Sequence, residues 1–577
     1  MNRLVLAVRT STAIVLAAGV IAVAAPAATR ADSPQSVSLS GSYLSGYVAQ
    51  KRRDLAAAIK HFGDALKLDG DRPDLIRRAF LFSVMDGQIE AAMPLAERYA
   101  KIEKQSPIAT LALTVADIKK GDWKKATARM KALDDSGLNA FTKPIILAWA
   151  AFSQDGLEKG LEALKPLKDV GGTRAMHDLH AGLMHELSGD LAGAEKYYLG
   201  VVEDESGASL RAARILGTMY ERQGKADEAK AAFELYLQAQ PNSQFVDTDL
   251  ARLAGESELE TPTLIRDAKD GIAEGLFGLT SSLNRQGGNE TALVLGRLAL
   301  ALRPEFPIMR YMVGGMLEQL ERYEDANEVY LELAKSSPFT PAARLRIAQN
   351  LNELGKTDEA VKMLKELVER RKEDSRPLVT LAEIQRRHER WDEAIAAYDG
   401  AVERIGTLEP RHWQLLYTRG IALERAKKWD RAEADFLKAL EFKANQPLVL
   451  NYLGYSWIEM GKNMDQALEM IKTAVAKRPH DGYITDSLGW VYYKLGRYKE
   501  AVPELERAVE LRPEDPIIND HLGDAYWRVG RRLEATFQWR HSLSLNPAEE
   551  TRASIEKKLE SGMEAPEPIT KTTTDGG

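Results

Sequence analysis

A small residue recurs along this chain at Ala58, Ala92, Ala126, Gly160, Ala194, Ala229, Ala292, Ala326, Ala360, Ala394, Ala432, Ala467, Ala501 and Ala535, and eleven of the thirteen intervals are 34 or 35 residues. A fixed period of this length means one supersecondary unit used many times, each unit burying its apolar face against its neighbours. Without the period, 577 residues would suggest three or four globular domains. Twelve residues before many anchors stands a second small residue, at Gly46, Gly182, Gly217, Gly314, Gly420, Gly489 and Gly523. Small residues at this offset let two antiparallel helices touch closely.

The rest of the unit fits a helical hairpin. Pro73, Pro107, Pro307, Pro341, Pro447 and Pro516 are placed to open first helices, where a missing N–H costs nothing. Glycines at 87, 121, 189, 224, 287, 355, 461, 496 and 530 fall where a left-handed residue closes the first helix. Pro241, Pro304, Pro338, Pro513 and Pro547 follow second helices. On these residues the chain resembles the tetratricopeptide repeat (TPR) family. The run Leu488, Gly489, Tyr492, Gly496, Tyr498, Ala501, Ala508, Pro513 carries the family's pattern, as does Leu216, Gly217, Tyr220, Gly224, Ala229, Phe233, Pro241. The resemblance implies an all-α, right-handed α-solenoid of about fourteen helix–turn–helix units. It is weakest in repeats two to four, where Phe80, Thr114 and Ala148 replace the small first-helix residue.

Breaks in the period set the expected boundaries: a signal peptide over 1–31, an N-terminal array over 32–241, an irregular linker or hinge over 242–270, and a C-terminal array over 271–547. A capping helix over 548–562 and a disordered tail over 563–577 complete the chain. Arg3 and Arg9, the apolar run Ala13–Ala25 and the small residues to Ala31 have the shape of a secretory signal, with cleavage expected after Ala31 or Ala27. An uncleaved anchor is the alternative, although the run is shorter than the ~20 residues a span needs. Cleavage removes three arginines and no acid, taking the formal charge from −7 to −10. The expected location is the periplasm, and without cysteine the chain is no lipoprotein.

The absence of cysteine also excludes disulfides, thiolate metal sites and a cysteine nucleophile. A negative net charge leaves no global basic field for nucleic acid. His177, His180 and His185 with Glu186 lack metal-protease spacing, since residue 189 is Gly; His185 takes the place of a buried Tyr of the repeat. Ser554 and Lys557 form an isolated Ser-x-x-Lys without the motifs that accompany it in enzymes. No catalytic residue, metal site or cofactor is expected, and the chain reads as a non-enzyme.

The resemblance implies that positions two, five, nine and twelve of each first helix line a concave face. In the last three repeats these slots include Tyr455, Tyr483, Asp486, Trp490, Tyr493, Asp520, Asp524 and Trp527. They read either as anchors for a peptide or partner protein, or as core if the terminal helix folds back over them. Asp486, Asp520 and Asp524 replace the Lys, Arg and Asn with which the family clamps a terminal carboxylate, favouring an extended segment with apolar side chains and some positive charge. A second apolar surface comprises Leu111, Val115, Ile118, Ile145, Trp149 and Phe152, open to a partner helix, self-association or a neighbouring segment of the chain. The leading expectation is a periplasmic scaffold or adaptor presenting substrates to a carboxyl-terminal processing protease. An exopolysaccharide or outer-membrane assembly factor is the alternative. A glycosyltransferase-associated protein is the rival from another class, with no residues left over for its catalytic domain.

Overall fold

The computed structural model describes residues 38–169, 172–202, 209–241 and 243–564. The expected signal sequence, and all of the expected tail after Glu564, lie outside them. The described residues are all α-helical apart from turns and connections, in paired repeats. The chain divides into two compact units at Ala109/Thr110. The first contains the hairpins Leu39–Lys51 with Leu55–Leu68 and Pro73–Met85 with Ile89–Ile102. Helix Pro107–Lys119 spans the division and pairs with Trp123–Lys131. Eleven further hairpins of the second unit end at Pro516–Arg528 with Arg532–Ser544, followed by a terminal helix, Glu549–Ser561.

One contact recurs inside the hairpins. A Cβ placed on Gly46, Gly182, Gly217, Gly314, Gly420, Gly489 or Gly523 would fall 2.3–2.9 Å from the side chain of Phe62, Tyr198, Phe233, Tyr330, Phe436, Leu505 or Trp539 respectively. Each partner lies sixteen residues further on. A large side chain on the second helix, a ring in six hairpins and Leu505 in the seventh, therefore fills the space left by the missing side chain on the first. Burying such a ring contributes roughly 1.5–3 kcal/mol. Where the first position is large its partner is small: Phe80 stands at the register of Ala96, both buried. Thr114 faces Met130 with Oγ1 3.4 Å from the sulfur. In the hairpin of Ala268–Arg285 the space at Gly296 is filled instead from the next first helix, where Val313 Cγ2 would lie 2.9 Å from a Cβ on Gly296. The poor fit of repeat two to the family pattern is thus a size exchange within the same contact.

Local chemistry sets the helix limits. Pro73, Pro307, Pro447 and Pro516 each open a first helix, and Ser209, Asp481 and Asp515 cap theirs by accepting backbone N–H bonds. The turn within each hairpin passes through a left-handed residue. Gly496 supplies it with φ 72°, whereas Lys427 holds the equivalent place at φ 62°, a conformation costing a side-chain-bearing residue roughly 1–2 kcal/mol.

The Gly–ring contact gives a direct test. Gly217→Ala should cost about 1–3 kcal/mol through overpacking against Phe233. Combined with Phe233→Leu it should cost less than the two single changes summed, as read from denaturant unfolding of the four chains of a double-mutant cycle. Strict additivity would show that the two residues do not share a space.

Candidate functional site

The second apolar surface is filled from within the chain. Leu111, Val115, Ile118, Ile145 and Trp149 are at most 2% exposed, and Phe152 is half-buried with its ring 5.4 Å from that of Trp149. Helix Ala268–Arg285 lies against helix Asn139–Asp155, and its glycines allow the approach. A Cβ on Gly271 would meet Trp149 at 2.2 Å, and one on Gly275 would meet Ile145 at 2.6 Å. The Trp149 indole N–H donates to His180 Nδ1 at 3.1 Å, while His180 Nε2 faces Gly275 without a hydrogen-bond partner. Of the three histidines, His177 and His180 are buried and His185 bonds Asp190.

The connection after Gln240, expected as a hinge, carries a short helix, Asp247–Leu253, pinned by ion pairs. Arg214 donates to Asp249 from Nε and Nη2 at 2.8 and 3.2 Å, and Arg252 bridges Asp249 and Glu221. Glu274 is gripped by Arg211 and Arg303, with Arg211 Nε at 2.8 Å and Arg303 Nη1 at 3.0 Å. All of Arg211, Arg214, Asp249, Glu274 and Arg303 are buried, so removing one member leaves a buried charge and costs about 3–5 kcal/mol. Phe245 packs on Tyr311 and Phe339 with ring centroids 5.3 and 4.9 Å apart, and Asp247 pairs with Arg376 at 3.3 Å. The connecting segment therefore occupies first-helix positions in three hairpins.

At the other end, the eight aromatic and acidic residues fall into two groups. Asp520 and Asp524 do not stand open: the terminal helix covers them, and Lys558 Nζ lies 2.8 Å from Asp520 and 2.7 Å from Asp524. Burial and the Asp520 carboxylate push Asp524 up to about 6. Burial works against the Lys558 charge, but the Asp524 and Asp520 carboxylates outweigh it and raise its pKa. Trp527 packs on Trp539 and would meet a Cβ on Gly562 at 2.4 Å. Tyr455, Tyr483, Trp490 and Tyr493 are half-buried. The Trp490 indole donates to Glu459 at 2.8 Å and its ring stacks on Tyr493 and His521. His521 Nδ1 bonds both oxygens of the buried Asp486 at 3.0 Å. Burial opposes the His521 charge, yet Asp486 raises its pKa overall.

Between these occupied ends lies a cavity of about 620 Å³. Arg376, Val379, Glu383, Trp413, Tyr417 and Leu448 line it, and Pro241 and Ser243 of the connecting segment bound it. Together with Tyr455, Tyr483, Trp490 and Tyr493, it makes a run of aromatic first-helix positions. Sequence reasoning missed Trp413, Tyr417 and Val379 because attention fell on the last three repeats. It also missed Gly271 and Gly275, whose spacing on one helical face was the available signal.

His180 makes stability depend on acid. Burial lowers its pKa from 6.5 to about 3, so the unfolded chain binds more protons between these values and stability falls as pH drops below 6.5. The loss attributable to this group should approach about 1.4 kcal/mol per pH unit, or about 2 kcal/mol at pH 5. It is read as the difference between unfolding of the unmodified and His180→Leu chains at pH 7 and pH 5. Parallel pH dependences would show that His180 is solvated.

Residues 489–530 match the family described as TPR repeat, and residues 188–244, 345–407 and 379–447 match that described as Tetratricopeptide repeat. TPR repeat-containing protein PA4667 of Pseudomonas aeruginosa is 25% identical over 192 residues, 33% of this chain and 32% of its own. Protein O-mannosyl-transferase TMTC1 of Homo sapiens is 28% identical over 153 residues, 26% of this chain and 16% of its own. Vi polysaccharide export protein VexE of Salmonella typhi is 27% identical over 255 residues, 42% of this chain and 33% of its own. The chain thus spans about a third or less of the length of these curated relatives. Among solved structures, the APC/C hetero-tetramer Cut9-Hcn1 aligns with a TM-score of 0.38 and 15% identity, over 91% of this chain and 96% of that one. With fourteen hairpins among the described residues and these matches along it, the chain is a multi-repeat tetratricopeptide repeat protein.

Proposed function

We propose that this protein is a non-enzymatic adaptor of the cell envelope that holds an extended segment of a partner protein along the first helices between Arg376 and Tyr493. The observation that carries the reading is the cavity of about 620 Å³ with Trp413 and Tyr417 in its lining, followed on later first helices by half-buried Tyr455, Tyr483, Trp490 and Tyr493, beside surfaces that the chain's own segments cover. Half-buried tyrosines and tryptophans are the side chains from which interface hot spots are built, each worth ~2 kcal/mol or more on truncation. Both charge signs border the run, in Arg376 and Glu383 of the cavity and in Glu459 beside Trp490. A segment with apolar side chains and some positive charge fits this composition.

Export with loss of residues 1–31, and presentation of the bound segment to a carboxyl-terminal processing protease, complete the proposal. A second reading is favoured by the likeness to the polysaccharide export protein over 42% of this chain, in which the held partner is a component of polysaccharide export. The transferase relative shares only a stretch covering 16% of its own length, and this reading assigns the shared stretch to the repeats.

The test places a photocrosslinking amino acid at exposed Gln414, beside Tyr417, and at exposed Glu510 on a second helix, in cells that produce the protein. Adducts specific to position 414 are expected, and their identity separates a protease pathway from polysaccharide export. Equal adducts at both positions would remove the groove as the binding surface. N-terminal sequencing of the same material should begin at Asp32, or at Ala28 if cleavage follows Ala27; an intact Met1 would contradict export by signal cleavage.

A further inference from the structure

The terminal helix is attached by a small, mixed set of contacts: at its end Trp527 packs against Gly562 and Arg528 donates to the Glu564 carbonyl. Ile555 is its one buried residue, with Leu559 and Met563 partly packed beside it. Its strongest link is polar, the Lys558 ammonium between Asp520 and Asp524. A cap that only shielded the last hairpin would lay down a broad apolar stripe. This seat instead sets two carboxylates side by side, which repel one another and call for a cation. The seat is also built independently of its occupant. Asp524 accepts the Trp539 indole N–H at 2.9 Å, and both Asp524 and Trp539 belong to the last hairpin. On the second helix of that hairpin, Leu533 and Phe537 lie one turn apart, 86% and 67% exposed, so the terminal helix leaves apolar surface bare at this end.

We infer that the last hairpin is a docking seat for an amphipathic helix of a partner protein, one carrying an aliphatic residue, a lysine three positions later and a second aliphatic residue directly after it. The chain's own Ile555, Lys558 and Leu559 are the resting occupant that such a helix displaces. Charge complementarity selects the partner: only a cation at the central position satisfies the two buried carboxylates, and the flanking aliphatic residues replace those of the resident helix. The seat lies beyond the groove between Arg376 and Tyr493 and does not depend on what that groove holds.

The probe is a fluorescent peptide of residues 547–564, titrated by anisotropy against the full chain and its Ile555→Asp variant, whose own helix cannot seat. A second peptide keeps only the Ile, Lys and Leu spacing on an otherwise Ala/Glu helix. Both peptides should bind the variant at least about tenfold more tightly than the unmodified chain, which holds its resident helix at high effective concentration. Adding Asp520→Asn and Asp524→Asn should weaken binding by at least about tenfold. Absence of binding to a variant that keeps its helical circular dichroism would overturn the inference, as would binding of the native peptide alone. Should Ile555→Asp fail to fold, amide exchange in the unmodified chain decides. The terminal helix should exchange at least about 100-fold faster than Pro516–Arg528, and equal protection would make it an integral part of the array. A concentration-dependent dimer that exchanges terminal helices would assign the seat to a second copy and overturn the assignment to a partner protein.

Discussion

The structure depends on one close approach: a side chain missing from the first helix of a hairpin and a large side chain, most often a ring, sixteen residues later, that occupies its place. From Gly46 with Phe62 to Gly523 with Trp539, the contact brings two helices together so tightly that even a methyl group would collide. It fixes register within the hairpin, and the 34-residue spacing repeats it. The sizes within the pair can be exchanged, as in Phe80 with Ala96. Hairpins that look irregular by sequence thereby pack by the same rule.

What the repeat does not dictate is what lies on the face made by its first helices, and there the chain uses its own segments. Helix Ala268–Arg285 closes over Trp149, and Asp247–Leu253 with Phe245 lies across Arg214, Tyr311 and Phe339. The terminal helix sets Lys558 between Asp520 and Asp524. The first two are strongly held, by glycine-tight packing and by buried ion pairs. The third rests on one fully buried aliphatic residue, Ile555, with Leu559 and Met563 beside it, on the Lys558 ammonium, and on contacts of its end with Trp527 and Arg528. This gradient of attachment, together with the cavity bordered by Tyr417, sets the regions where another protein meets least competition.

The fold was legible because its information is local: two small positions, a turn residue and a helix-opening proline recur within each unit, and a hairpin forms from residues at most about thirty apart. The site was legible only in part. Aromatic first-helix positions such as Tyr455 and Trp490 stand out because the repeat does not require them. Whether such residues are covered is decided by contacts the period does not carry. Arg211 meets Glu274 across 63 residues, and Lys558 reaches Asp520 across 38. For the same reason Ile118 and Trp149 read as a surface and are interior. Only the glycine face of Gly271 and Gly275 hinted at what closes over Trp149 and Ile145.

The absence of native cysteine permits a direct measurement of this account. Single cysteines at Ile118, Ile145 and Gln414 can be labelled in the folded chain with a maleimide and the rates compared. If the chain's own segments fill the N-terminal apolar face and leave the central run open, the cysteine at 414 labels promptly. Those at 118 and 145 then react only as fast as the chain opens. Prompt labelling at 145, in a chain that remains folded, would show that helix Ala268–Arg285 does not occupy that face and would contradict the account.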